Sequence, residues 1–292
     1  MAPEYYVFTG RERVPVHITH VIIAKALKFV RAWAFASHPY RRLNIVEVIC
    51  HDGVEKIEQA AFKCCPSLKR VIMPGVKEVE DRAFHTCEAL TYIECGKLER
   101  IGEHTFCGCL SLNSIDLPSI HILERSAFAG CPNLINVKVG KDLESIGNAA
   151  FIHCFSLERI ALPLKDGVIT KKRIFQECKN LNHVDLVGGV HETIAALLME
   201  EWKNDMNEKI DAINRILATT SAGSWDEQGE KGRKIRRWIR SVLRKIVDYK
   251  AEHRRYLNVA ATTLQPALPN DIVLKNVLPF LELPSYTFEG EN

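Results

Sequence analysis

The chain has 292 residues, 39 Lys or Arg against 36 Asp or Glu, a formal charge of +3 and 47% hydrophobic residues. That balance suits one large or two ordinary globular domains and excludes a chain too small or too polar to bury a core. No window approaches 18 consecutive apolar residues, and the opening MAPEYYVFTGRERVP carries charge and proline where a leader needs an apolar run, so a cytoplasmic, intracellular protein is expected.

In chain order, residues 1–13 read as an N-terminal extension and 14–60 as a worn first repeat. VPVHITHVIIAKALKFVRAWAF ends in Ala34-Phe35, and His38 takes a position that later repeats give to cysteine. Val46, Ile49 and His51 fall 16, 13 and 11 residues before Phe62, the offsets of Leu68, Val71 and Met73 from Phe84. Terminal repeats are atypical because one face meets water instead of a neighbour. From Ala61 to Leu186 the frame F-x-x-C-x-x-L-x-x-[IV]-x-[apolar] is then written six times, with Phe62, Phe84, Phe106, Phe128, Phe151 and Phe175 spaced 22, 22, 22, 23 and 24 residues apart. A fixed period in the twenties marks a solenoid.

Within each repeat, L-x-x-[IV]-x-[apolar] alternates apolar and polar and is rich in Val and Ile, which predicts a strand. Pro74, Pro118 and Pro163, or Gly96 and Gly140, end it. The rest of the repeat supplies one buried apolar residue (Val79, Ile101, Leu123 or Ile146) five before the phenylalanine. One strand per turn then gives a curved parallel sheet, with Phe and Cys filling the interior. Of the ten cysteines, Cys65, Cys87, Cys109, Cys131, Cys154 and Cys178 share one repeat position and form a column of small hydrophobes with weak donors. Zinc needs four convergent ligands, usually from paired C-x-x-C motifs. Cys64-Cys65 and Cys107-x-Cys109 have the wrong spacing, so no metal is expected.

Ile101-Gly102 with Phe106-x-x-Cys109, and Ile146-Gly147 with Ala150-Phe151-x-x-Cys154, resemble the BspA-like leucine-rich repeats. The repeat of that family reads roughly L-x-x-I-x-L-P-x-x-[LV]-x-x-I-G-x-x-A-F-x-x-C, and the resemblance covers residues 14–189. It implies an α/β solenoid, a leucine-rich-repeat horseshoe with a parallel concave sheet used for protein-protein contact, without cofactor or reaction. On the concave face one column runs Val48, Arg70, Tyr92, Ser114, Asn136, Arg159, His183, and its neighbour Cys50, Ile72, Glu94, Asp116, Lys138, Ala161, Asp185. Arg70, Tyr92, Glu94, Asp116, Asn136, Lys138, Arg159, His183 and Asp185 are the candidate partner-binding residues, Tyr and Arg being enriched at protein contacts. The plainer alternative is a solvated sheet face. Mixed signs argue against a nucleic-acid groove, which is basic throughout, and no nucleic-acid partner is expected.

The repeat of Phe175 is irregular: LKDGVITKKRIF inserts two residues and carries Lys171, Lys172 and Arg173 together. After Gly188-Gly189 the period changes to 3.6, and residues 190–265 read as a helical hairpin covering the end of the solenoid. Its first helix aligns Ile194, Leu197, Leu198, Trp202, Met206, Ile210, Ile213, Ile216 and Leu217. Its second, about Gly232 to Thr262, aligns Ile235, Trp238, Ile239, Val242, Leu243, Ile246, Val247, Tyr256 and Leu257. From Lys231 to Arg255 there are 11 Lys or Arg against Asp248 and Glu252, a local +9 in a chain of +3. A basic amphipathic helix with Trp238 suits a calmodulin-type target, an anionic membrane surface or nucleic acid, or else a solvated face paired with the acids of the first helix. In residues 266–292, LP-x-D-I-V-L-x-x-V-L-P-F-L resembles the opening of an F-box, which implies a ubiquitin-ligase-type adaptor; the plainer reading is a short apolar helix adding to the cap. No G-x-S-x-G, P-loop, H-E-x-x-H or dinucleotide fingerprint is present, and no enzyme is expected.

Overall fold

The computed structural model describes residues 5–10, 12–37, 43–188, 190–195, 197, 199–220 and 229–264. Two strands per turn, not one, build the solenoid. The longer strands are β1 (Tyr5–Phe8), β2 (His20–Ile23), β4 (Glu47–Ile49), β6 (Arg70–Ile72), β8 (Tyr92–Glu94), β10 (Ser114–Leu117), β12 (Asn136–Val139), β14 (Arg159–Pro163) and β15 (His183–Val187), and among the described residues the six from β2 to β12 are each followed by a short second strand. All pair in parallel. Their alternation sorts the faces: β12 buries Val137 and Val139 and turns Asn136 and Lys138 outward.

The Ile-Gly segment, expected to contribute only a buried side chain, forms a second ladder. Strands β3 (Phe29–Val30), β5 (Lys56–Ile57), β7 (Glu78–Val79), β9 (Arg100–Ile101), β11 (Ile122–Leu123) and β13 (Ser145–Ile146) make one six-stranded sheet. Glycine is required behind it because the bend of the preceding turn passes close: a Cβ on Gly147 would stand 2.4 Å from the carbonyl carbon of Glu124.

The A-F-x-x-C turn closes each repeat by alternating its hydrogen bonds. Ala61, Lys63 and Cys65 N–H donate three residues back, whereas Ala60, Phe62 and Cys64 N–H donate to Asp81, Ala83 and His85 O of the next turn. That alternation places the residues two before and two after each phenylalanine, such as Ala60 and Cys64, in the left-handed region. Outside glycine this conformation costs about 1 kcal/mol or more, offset here by the inter-turn bonds. Phe35, Phe62, Phe84, Phe106, Phe128, Phe151 and Phe175 form one buried stack with centroids 4.8 to 5.7 Å apart and near-parallel planes. Beside it each column cysteine donates its thiol to the carbonyl of the phenylalanine one turn back, as Cys131 Sγ does to Phe106 O at 3.1 Å. Cysteine therefore satisfies a buried acceptor as well as filling space. Among the described residues no group of three or more His, Cys, Asp or Glu could hold a metal ion, and no helix is long and apolar enough to cross a membrane.

Two features of the N-terminal region differ from the sequence expectation. The supposed extension supplies β1, paired with β2, and Phe8 packs on Phe35 at 4.6 Å. In the first repeat, Ile45, Val48 and Cys50 are the buried residues, not Val46, Ile49 and His51. Glu47, not Val48, pairs with Arg70, and Ile49, not Cys50, with Ile72. The cause is one extra residue in the bend Cys50-His51-Asp52-Gly53 relative to Met73-Pro74-Gly75, which displaces any count made backwards from Phe62. His38 and residues 266–292, with the F-box-like stretch, lie outside the described residues.

The C-terminal helices are α1 (Val190–Ala195), α2 (Glu200–Ala218) and α3 (Glu230–Leu264), so the first expected helix is interrupted. Helices α2 and α3 pack together. Trp238 Nε1 donates to Lys209 O at 2.8 Å, Tyr249 OH to Asp205 at 2.8 Å, and Trp202 stacks on Tyr249 at 5.0 Å. Both helices also serve the solenoid end. Asn214 Oδ1 accepts from Val184 N–H of the last strand at 2.9 Å, and Lys231 Nζ donates to Lys179 and Leu181 O at 2.9 and 2.5 Å. Ile235, Trp238, Ile239, Val242 and Ile246 are buried as expected, but Val247 and Tyr256 are exposed.

Candidate protein-binding groove

The long-strand register brings the candidate residues onto one face. Tyr5, His20, Glu47, Arg70 and Tyr92 follow each other across β1, β2, β4, β6 and β8, and Asn136, Arg159 and His183 across β12, β14 and β15. The two ends of this face are engaged internally. At the first end Tyr5 OH donates to Glu47 at 2.6 Å, Arg70 Nε pairs with Glu47 at 3.1 Å, and the Arg70 guanidinium lies 4.6 Å over the Tyr92 ring. At the last end Arg159 and His183 both reach Asp185, at 3.1 and 3.2 Å. Glu47 is thus the residue that counting from Phe62 missed; the run Ile45-Val46-Glu47-Val48-Ile49 carries the signal, since only one alternation phase puts its lone charge outside.

Between the two ends the ladder is interrupted. The nine long strands form a five-stranded sheet ending at β8 and a four-stranded sheet beginning at β10, and among the described residues nothing pairs β8 with β10. The bond that opens each junction, Lys69 N–H to Val46 O, Thr91 N–H to Lys69 O, Ile135 N–H to Asn113 O, has no counterpart from Asn113 to Thr91. The flanking bends remain joined, by Ser111 N–H to Glu88 O at 3.0 Å on one side and Ser119 Oγ to Gly96 O at 2.9 Å on the other. The strands part while their ends are held, and Ile93, whose counterparts Val71, Ile115 and Val137 are buried, is partly exposed.

The opening is a groove of about 650 Å³ lined by Tyr92, Ile93, Glu94, Ser114, Asp116, Asn136, Lys138 and Arg159 among others. Six of the nine sequence candidates line it. Arg70 borders it through Tyr92, and His183 and Asp185 lie on the next strand, β15. Tyr92 is 45% exposed. Asp116 and Lys138 make no side-chain hydrogen bond or ion pair among the described residues, and Glu94 has only a 3.5 Å contact from Tyr92 OH. The recess thus combines an aromatic rim with charges of both signs, the residue types enriched at protein contacts.

The basic helix presents differently from the sequence expectation. A calmodulin-type target or a helix lying in a membrane interface offers its apolar face, and in α3 the part of that face from Ile235 to Ile246 is buried, with α2 packed on the helix, while Val247, Tyr256 and Val259 beyond it are exposed.

No curated protein matches the chain. Among solved structures it is similar to a leucine-rich repeat protein from Bacteroides ovatus ATCC 8483, at 22% identity and a TM-score of 0.45 over 59% of this chain and 49% of that one, so it spans about half of that protein's length. It is also similar to the T. pallidum leucine-rich repeat protein, at 21% identity and a TM-score of 0.37 over 71% of this chain and 83% of that one. The BspA type leucine rich repeat region matches in 6 copies, over residues 15–120 and 99–198. With its phenylalanine stack, cysteine column and paired parallel ladders, the chain belongs to the BspA-type leucine-rich repeat family.

Proposed function

We propose that the chain is a non-enzymatic scaffold that holds an extended segment of a partner protein in the groove between β8 and β10. The observation carrying this reading is the parted ladder itself: it partly exposes Ile93, leaves Asp116 and Lys138 without side-chain partners among the described residues, and leaves Glu94 only the 3.5 Å contact from Tyr92 OH, on a face where Glu47, Arg70, Arg159 and Asp185 are paired with one another. A fitting segment presents a basic side chain towards Glu94 and Asp116, an acidic one towards Lys138, and an apolar or aromatic one to Tyr92 and Ile93. Catalysis has no support from the thiols: burial pushes the Cys178 thiol up to about 12 and those of Cys87 and Cys109 well above 9.0, and a hydrogen bond with Cys154 together with burial does the same for Cys131, which keeps them protonated and unreactive.

The test is quantitative capture of partners by the tagged full chain, set against Asp116→Lys, Lys138→Glu and Tyr92→Ala. All three positions are exposed, so the fold is expected to survive. Each change should weaken recovery of a specific partner about tenfold or more, as expected for central contacts of an interface. A partner captured equally by all four proteins would refute the groove as the binding site.

A further inference from the structure

We propose that the basic surface where α3 lies along the last solenoid turn binds the phosphate backbone of a nucleic-acid duplex. This surface is separate from the mixed-sign groove and joins two basic stretches far apart in sequence. Arg236 Nε donates to Ile169 O and its Nη2 to Lys171 O at 3.4 Å, while a Cβ on Gly229 would stand 3.7 Å from Arg173 Cα. The exposed run Lys171-Lys172-Arg173 is thereby set against the first turns of α3.

On α3 itself, Arg233, Arg237, Arg240 and Arg244 recur at intervals of 4, 3 and 4, a single exposed helix face. With Arg236 and Ser241 they line a shallow groove of about 430 Å³, so every lining residue but one is arginine. Among the described residues two ion pairs engage acids here, Asp166 with Arg240 at 3.0 Å and Glu230 with Lys234 at 3.1 Å. From Arg233 to Arg244 the stripe runs roughly 16 Å, a length over which duplex DNA carries about nine phosphate charges. Arginine's planar fork suits phosphate oxygens better than lysine's point charge.

The scarcity of apolar anchors on this surface separates the possible occupants. Among the described residues, none of the large exposed hydrophobics lies within 165–173 or between Arg233 and Arg244, and Val247 alone follows at the far end of the stripe. A protein partner needs an apolar or aromatic centre to its interface, and a lipid surface needs inserted side chains or a lipid anchor for stable attachment. A duplex backbone needs neither, because release of condensed counterions drives its binding.

The experiment is fluorescence anisotropy of the full chain with labelled 20-base-pair DNA and RNA duplexes of arbitrary sequence between 50 and 200 mM salt. Wild type should bind at least one of them, with a log–log salt slope near −4 or steeper, about −0.9 per phosphate neutralised. The triple variant Lys172→Glu/Arg237→Glu/Arg244→Glu should weaken binding at least 30-fold and flatten the slope by about 3, whereas Lys138→Glu in the groove should leave both unchanged. Arg237→Gln/Arg244→Gln, which adds no acid, should flatten the slope by about 2 and covers the case in which the triple variant misfolds. No binding by wild type at 50 mM salt, or binding indifferent to these changes, overturns the proposal. So does variant-sensitive binding to phosphatidylserine vesicles with none to either duplex.

Discussion

Replacing Phe106 by alanine tests whether the aromatic column carries the solenoid. Phe106 is fully buried, and its ring stacks between Phe84 at 5.3 Å and Phe128 at 5.2 Å, with interplanar angles of 4° and 12°. Truncating a buried Phe costs about 3–5 kcal/mol through lost transfer energy and the cavity left behind. Each stacked pair adds about 0.5–1.5 kcal/mol beyond area. With two pairs lost and rigid turns on both sides preventing collapse, the upper part of the range is expected, about 4–5 kcal/mol. The backbone is not the cause, because Phe106 O still accepts Cys131 Sγ and Cys109 N–H. Phe175→Ala removes one stacked pair and faces Gly232 of α3 on its other side, so it should cost about 1 kcal/mol less. Urea unfolding of the full chain, followed by far-UV circular dichroism, reads these losses. The mid-stack variant should also show the first sign of two separate transitions, since each turn touches only its neighbours. A loss below about 2 kcal/mol at Phe106, or equal losses at Phe106 and Phe175, would refute the stack as the main support.

Two further outcomes follow from the short-strand ladder. Burial pushes the Glu78 carboxyl up, but hydrogen bonds from Lys56 and Arg100 outweigh it and hold the group below its ordinary 4.5. Its stabilisation is therefore complete above that value and is lost as pH falls through the lowered native one. Urea midpoints of Glu78→Gln should accordingly depend less on pH below 4.5 than those of wild type, and identical profiles would contradict the assignment. Gly147→Ala should cost roughly 2–3 kcal/mol in thermal melts because its Cβ meets backbone. Gly96→Ala, with nothing within 4 Å, should stay within about 0.5 kcal/mol.

The sequence shows the solenoid clearly because its period is carried by residues that physics leaves no freedom to change: a phenylalanine that must meet the ring above, a cysteine that must reach a carbonyl. The second ladder was hidden because a two-residue strand has no periodicity to read; Ile101-Gly102 looks like a buried residue followed by a bend. The register of the first repeat departs from a count made backwards from Phe62 because its bend holds one residue more than the next. Candidate groove residues were visible as outward positions of the frame, but the parting of β8 from β10 was not. Tyr92 and Ser114 stand 22 residues apart, like regular neighbours, and only the missing Asn113 to Thr91 bond distinguishes them.

The end of the solenoid supplies the last test, and it bears on how the groove can be studied. β15 is the edge of its sheet, and an exposed parallel edge invites pairing with another chain. Here α2 lies along it, with Asn214 taking the Val184 amide, while Lys231, held below its ordinary value by burial, donates to two carbonyls of the last turn. Asn214→Ala leaves that amide unpaired beside a buried residue and should cost about 1–3 kcal/mol. A fragment ending at residue 188 loses every one of these bonds and uncovers the Phe175 end of the stack, so it should associate or unfold in sedimentation and denaturation experiments. A fragment that is monomeric and as stable as the full chain would show that the helices are not a cap. Until that outcome is seen, loss of partner binding on truncation reports loss of fold, and point changes at Asp116 and Lys138 are the sound probe of the groove.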